Sequence, residues 1–241
     1  MTQPGPLPLP HAAGSIYWLC EDAPADMDTA LLSPAEAAAY AALRTAKRRR
    51  DWLLGRRVAK RLVQASVAAR TGQTLPLHDI AILSHADGWP QVTLPTLGVD
   101  APPLTLSISH SHDRAFCALL WGDRPLGCDL EFIEPRSPGF VADYFTAGER
   151  ALVAAMPETQ RAVLANAIWS GKEAALKAIR RGLAEDTRLV TCLPGQEADA
   201  GGWRTLRYRW ETPARGLPPL MGWWRALDGF VMTLAAGRAE S

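Results

Sequence analysis

The chain has 241 residues, 48% of them hydrophobic and 21% charged, with a net charge of +1. That length suits one large domain or two small ones and is enough for a sizeable core. The near-zero charge gives no general attraction to nucleic acid or membrane, and no apolar run is long enough to span a bilayer. The N-terminus lacks the basic region and apolar core of a signal peptide. Cys20, Cys117, Cys128 and Cys192 show no CxxC spacing. They read as buried free thiols in a reducing, cytoplasmic compartment.

Prolines at 4, 6, 8 and 10 make residues 1–12 an extended, mobile tail. Residues 15–20 read as a first strand. Ser33 is placed to cap a helix, with Pro34 at its first position and Glu36 three residues after the cap. This Ala-rich helix should run to about Thr45. A basic cluster follows, from Arg44 through Arg48 to Arg56, Arg57, Lys60 and Arg61, interleaved with Trp52, Val58, Ala59 and Leu62 near helical spacing. The pattern predicts an amphipathic helix with one cationic face. Such a face is either solvated or built to bind a phosphate-rich ligand.

Strands are expected at 79–83, 91–94, 104–109 and 115–121. Gly88-Trp89-Pro90 forms a turn after the first, a Pro-rich loop spans 95–103, and His110-Ser111-His112-Asp113 is a polar break. His110 there is a loop histidine or a phosphate contact. Leu126-Gly127-Cys128-Asp129-Leu130-Glu131-Phe132 alternates cleanly. As a strand it buries one apolar face and presents Asp129 and Glu131, about 7 Å apart at Cα, on the other. Two like charges so placed repel, and a hard divalent cation would repay that cost. A solvated edge strand is the plain alternative.

A short helix is expected at 140–144. Thr146 and Glu149 have capping-box spacing for the next one. The longest helix should run from about Glu158 to Arg181, with Gly182 at its C-terminus. Gly171 inside it costs roughly 1 kcal/mol against Ala, which a close approach of backbone or ligand would explain. Glu173 and Lys177 are i, i+4 neighbours, either an ordinary surface pair or a third metal carboxylate with a partner for a polyanion. Four strands follow, with Asp228-Gly229 as a hairpin turn. Carboxylates without a Cys or His cluster suit magnesium rather than zinc.

Gly127-Cys128-Asp129-Leu130-Glu131 and, about 40 residues on, Trp169-Ser170-Gly171-Lys172-Glu173-Ala174-Ala175-Leu176-Lys177 resemble the paired signature of the 4′-phosphopantetheinyl transferases. Ile108-Ser109-His110-Ser111, the Gly55-Arg56 helix and Phe145-Thr146-Ala147-Gly148-Glu149 resemble three further motifs, in family order over about residues 44–183. The length resembles the surfactin-synthetase-activating type. The resemblance implies an α/β (α+β) fold, a pseudo-two-fold pair of similar halves, each a small mainly antiparallel sheet packed with a long helix. Residues 13–124 would grip the CoA nucleotide and phosphates, and residues 125–241 would carry the metal site and the catalytic helix. It implies transfer of the 4′-phosphopantetheine group of coenzyme A to a serine of an apo acyl or peptidyl carrier protein, releasing adenosine 3′,5′-bisphosphate. Such carriers serve fatty-acid, polyketide and nonribosomal peptide synthesis.

In residue terms, the resemblance places Mg2+ (or Mn2+) at Asp129, Glu131 and Glu173. Arg48, Arg56, Lys60, Gly88, Trp89, Pro90, Ser109 and His110 would contact coenzyme A, and Lys172 and Lys177 its pyrophosphate. The family often has Gly-Lys-Pro where this chain has Gly88-Trp89-Pro90, so a charge is missing there; Trp89 either stacks on adenine or packs. Glu149, Glu173 or a metal-bound water would take the serine proton. A cytoplasmic monomer without nucleic-acid or membrane partners is expected. The competing readings are a metal-free CoA-dependent acyltransferase, separable by its indifference to EDTA, and a nucleic-acid module using the basic helix, separable by steeply salt-dependent binding.

Overall fold

The computed structural model describes residues 6–8, 15–94, 103–211 and 216–237. Two units divide the chain, Met1–Arg124 and Pro125–Ser241.

The first unit begins with β1 (Pro6–Pro8), which pairs antiparallel with β2 (Ser15–Asp22). The rest of the expected tail, and residues 95–102 of the expected Pro-rich loop, lie outside the described residues. α1 (Pro34–Ala41) starts as its sequence dictates: the Ser33 hydroxyl accepts from the Glu36 N–H, and a Glu36 carboxylate oxygen accepts from the Ser33 N–H. α2 (Ala46–Thr71) is capped by Thr45 and stopped by Gly72 at φ 73°. It lays Leu54, Val58, Leu62 and Val63 into the core of this unit. A short hairpin, β3 (Ala81–Ser84) and β4 (Pro90–Thr93), precedes β5 (Leu104–Ser111) and β6 (Arg114–Trp121). The main sheet has the order β1-β2-β6-β5.

One expectation changes here. The chain does not break at His110. β5 continues to Ser111, which pairs with Arg114, and only His112 and Asp113 turn, both at positive φ (48° and 57°). A two-residue turn of this kind matches the twist of the strands it joins.

The second unit runs β7 (Leu126–Phe132), α3 (Pro138–Tyr144), α4 (Ala147–Ala155), α5 (Glu158–Ala178), β8 (Val190–Ala198), β9 (Arg204–Trp210), β10 (Leu220–Leu227) and β11 (Phe230–Gly237). The antiparallel sheet is ordered β7-β11-β10-β9-β8. Asp228 and Gly229 turn β10 into β11, both at positive φ. α5 ends three residues earlier than the sequence suggests. Arg180 takes the left-handed conformation, its N–H bonds Lys177 O, and the Arg181 N–H bonds Leu176 O, a closing motif that stops the helix. Each unit is thus a mainly antiparallel sheet packed with one long helix. No helix among the described residues is long and apolar enough to cross a membrane.

Two glycines let α5 lie close to its sheet. A Cβ on Gly127 would sit 1.9 Å from Ala174 O, and one on Gly171 would sit 2.8 Å from the Leu206 side chain. The apparent cost of Gly171 in a helix is therefore repaid by close packing.

Candidate functional site

The alternation of β7 decides where its acids point. Asp129 and Glu131 share a face with Gly127, the face covered by α5. Because Gly127 admits the helix backbone, Glu173 on α5 comes down over the strand. Asp129, Glu131 and Glu173 each offer an oxygen, all within 4.8 Å of one another. Lys177 Nζ donates to Asp129 Oδ1 at 2.6 Å and lies 3.7 Å from Glu173. Glu131 accepts from Arg136 Nη2 at 2.6 Å and from Trp169 Nε1 at 3.0 Å.

Three carboxylates so close carry surplus negative charge. Burial and the charge of Asp129 push Glu173 up to about 8, against the pull of Lys177. Burial and Asp129 likewise raise Glu131, against Arg136. Burial alone would lower the Lys177 pKa, but Asp129 and Glu173 hold it above the usual lysine range. A set of hard oxygen donors that resists full ionisation fits a hard divalent cation.

Glu149 and Lys172 are elsewhere. Both side chains are fully buried, with Lys172 Nζ 2.8 Å from Glu149 Oε2. The ammonium also donates to Thr187 O and Val190 O, at 2.9 and 2.6 Å. Glu149 accepts from the backbone N–H of Thr146 and of Cys192. All three lysine donors are used, and the carboxylate is committed to three donors. The structure thus places Lys172, expected at a pyrophosphate, and Glu149, expected to take the serine proton, together in a buried pair within the fold. The pair ties the start of α4 to α5 and β8.

The first unit repeats this device. Lys60 Nζ lies 2.5 Å from Glu36 and donates to Leu31 O and Leu77 O, again with both side chains fully buried. Glu36 is the capping-box residue of α1 and also accepts from Ile82 N. Lys60, expected to contact coenzyme A, is thus held in the interior by Glu36 and two carbonyls. Counting from these lysines, Arg61 stands where Glu173 stands. Counting from the hairpin turns, Glu21 on β2 stands where Glu131 stands, since both face the second residue of the last strand (Ala115 and Val231), and Leu19 stands for Asp129. In the first unit Glu21 is paired with Arg57 at 2.8 Å and with Arg61. Where the first unit sets Arg61 against Glu21, the second sets Glu173 beside Glu131.

A cavity of about 550 Å3 lies within the first unit. Lys47, Arg48, Trp52 and Arg56 of α2 line it, with Gly88, Pro90 and His110 opposite. Arg56 is held by Ile82 O at 2.9 Å and lies 4.4 Å above the Trp52 ring. Two expected contacts do not line this cavity. Ser109 points the other way, because Ile108 and His110 share one face of β5 and Ser109 the opposite one. Trp89 stacks on His85 at 4.5 Å, inside its own hairpin.

The structure thus brings Arg48, Arg56, Gly88, Pro90 and His110 together in one unit, and Asp129, Glu131, Glu173 and Lys177 in the other. Lys47, Trp52, Arg136 and the indole of Trp169 were not foreseen. For Trp169 a signal existed: it lies four residues before Glu173, on the same helical face.

Residues 125–207, from the start of β7 into β9, match the model of the 4′-phosphopantetheinyl transferase superfamily. The chain is 30% identical over 109 residues to the 4′-phosphopantetheinyl transferase HetI of Nostoc sp., covering 43% of this chain and 46% of that one. It is 27% identical over 135 residues to the 4′-phosphopantetheinyl transferase psf-1 of Bacillus pumilus, covering 52% and 54%. The chain therefore spans about half the length of the curated relatives it matches.

Proposed function

We propose that this protein is a Mg2+-dependent 4′-phosphopantetheinyl transferase of the single-chain, two-unit type, moving the 4′-phosphopantetheine group of coenzyme A to a serine of an apo carrier protein. The observation that carries the reading is the convergence of Asp129, Glu131 and Glu173 beside Lys177, within the segment that matches the superfamily.

The three carboxylates would hold the cation, which when bound supplies charge neutralisation and Lewis acidity at the diphosphate. Arg136 and Trp169 orient Glu131 by occupying one oxygen each. Lys177 is the cation best placed to meet the diphosphate, its side chain 28% exposed and its head already among the acids. With Glu149 sequestered, Glu173 is the carboxylate left to receive the serine proton. Arg48, Arg56 and His110 give the first-unit cavity the donors that a phosphorylated nucleotide requires. Adenosine 3′,5′-bisphosphate leaves as the second product.

The test is transfer from a fluorescent CoA analogue to a panel of apo carrier proteins. Labelling should need Mg2+ or Mn2+, stop in EDTA, and vanish in Asp129→Ala. A purified wild-type protein that labels no carrier on a broad panel overturns the reading, and activity that survives EDTA favours thioester chemistry instead.

A further inference from the structure

One row of α5 meets the acid strand side chain by side chain. Asn166, Trp169, Glu173 and Lys177 follow one another at helical spacing and share a face. Lys177 bonds Asp129, Glu173 joins the acid cluster, and Trp169 bonds Glu131. Asn166 continues the row beyond the end of β7. It is fully buried, and both ends of its amide are engaged. Nδ2 donates to Glu134 O and Ala162 O, each at 2.7 Å, and Oδ1 accepts from Arg136 Nε at 2.8 Å.

Arg136 is thereby held along its whole edge. Nη2 donates to Glu131 Oε2 at 2.6 Å, Nη1 to Glu134 Oε1 at 3.3 Å, and the guanidinium carbon lies 5.0 Å from the centre of the Phe140 ring. Pro135 before it and Pro138 beyond Ser137 restrict the backbone that carries it. A buried amide aims a guanidinium, the guanidinium aims one oxygen of Glu131, and the Trp169 indole aims the other. Both donors are planar groups of fixed direction. By contrast, Asp129 is met by the flexible ammonium of Lys177.

From this geometry we infer that Asn166 and Arg136 are positioning residues that lock Glu131 and so make the acid cluster select Mg2+ over Ca2+. Mg2+ demands near-ideal octahedral geometry with ligands at about 2.0–2.1 Å, whereas Ca2+ takes more oxygens at about 2.3–2.6 Å in looser arrangements. Each Glu131 oxygen keeps a lone pair for an ion. A carboxylate held at both oxygens cannot swing to the wider, two-oxygen embrace that suits Ca2+. Groups that orient ligands in this way commonly carry about 10–100-fold in metal affinity. The inference rests on the transferase reading, in which the three carboxylates hold the cation, and adds to it the residues that choose the ion.

The experiment compares wild type with Asn166→Ala and Arg136→Lys. Neither variant alters the net charge of the site, and Arg136→Lys keeps the cation while losing the planar fork. Thermal melts in EDTA report folding; should the buried Asn166→Ala fail to fold, Arg136→Lys carries the test. Mn2+ binding is read from the EPR signal of the free ion, with coenzyme A at a fixed concentration and its own metal binding subtracted. Displacement by Mg2+ and by Ca2+ then gives both affinities. Each variant should weaken Mg2+ about tenfold or more and Ca2+ by less than about threefold. The Mg2+ concentration that half-saturates transfer should rise in step, with a smaller change in kcat at saturating Mg2+. Folded variants with wild-type affinities overturn the inference and leave the transferase reading intact. Equal weakening of the two ions assigns the clamp to the fold alone and overturns the inference as well, as does a wild type that binds Ca2+ as tightly as Mg2+. A wild type that binds no divalent ion removes the metal site of the reading and the inference together.

Discussion

Replacing Lys172 by alanine separates a structural lysine from a catalytic one. The ammonium has a fully buried carboxylate at 2.8 Å and two buried carbonyls at 2.9 and 2.6 Å. Lys172→Ala leaves Glu149 charged, buried and without its cation, which costs about 3–5 kcal/mol. Each orphaned carbonyl adds about 1 kcal/mol. A domain has only about 5–15 kcal/mol in total, so most of the stability of this unit would go. The assay is urea or thermal unfolding of wild type, Lys172→Ala and the double variant Lys172→Met/Glu149→Gln. The double variant removes both charges and keeps an oxygen for one of the two N–H donors, so it should recover much of the loss. Transfer activity is then measured at a temperature where each protein is folded, and the double variant should retain most of it. A Lys172→Ala protein within about 1 kcal/mol of wild type, yet inactive, would refute the reasoning and return Lys172 to the diphosphate.

Other expectations follow from the same structure. In the metal-free protein Glu173 titrates near 8 instead of the ordinary 4.5. The folded state therefore holds a proton that the unfolded state has released. Stability from this group is complete below about pH 4.5 and is lost as pH rises through about 8. Urea unfolding in EDTA across that range should show the decline, and Glu173→Gln should flatten it; equal slopes in both proteins would dismiss the effect. Gly127→Ala drives a Cβ to within 1.9 Å of Ala174 O, whereas Gly148→Ala meets nothing within 4 Å. The first should abolish soluble expression or lower Tm sharply; the second, at the start of a helix, should be neutral or stabilising by about 0.5–1 kcal/mol. Arg48→Ala should raise the KM for coenzyme A about tenfold or more, a charged hydrogen bond being lost, with a smaller effect on 3′-dephospho-CoA. Equal effects on both would detach Arg48 from the 3′-phosphate.

Local chemistry made most elements readable. Ser33 with Glu36 and Thr146 with Glu149 started helices where their spacing said, and Asp228-Gly229 closed a hairpin. The alternation of residues 126–132 put both acids of β7 on one face, and i, i+4 spacing put Glu173 beside Lys177. Such readings succeed because their cause lies within a few residues. The ends of elements were less legible: Arg180 ended α5 in a conformation that glycine usually takes, and β5 ran past His110 because the turn was tighter than its polar sequence suggested.

Which charges are buried was settled by contacts between distant parts of the chain. Lys60 and Lys172 carry the residue type of a phosphate site, as Glu149 carries that of a general base, and in sequence nothing separates the two lysines from Arg48 or Lys177. Lys60 meets Glu36 across 24 positions of sequence, and Lys172 meets Glu149 across 23. Five residues apart on α5, Lys172 and Lys177 point in different directions, one into the core and one toward the acids. A lysine can extend into solvent or, given a carboxylate and two carbonyls, lie wholly inside. Strand alternation and helical spacing made it possible for Asp129, Glu131 and Glu173 to meet. The close approach of α5 over Gly127 decided that they do, and burial decided which of the neighbouring cations remain to serve them.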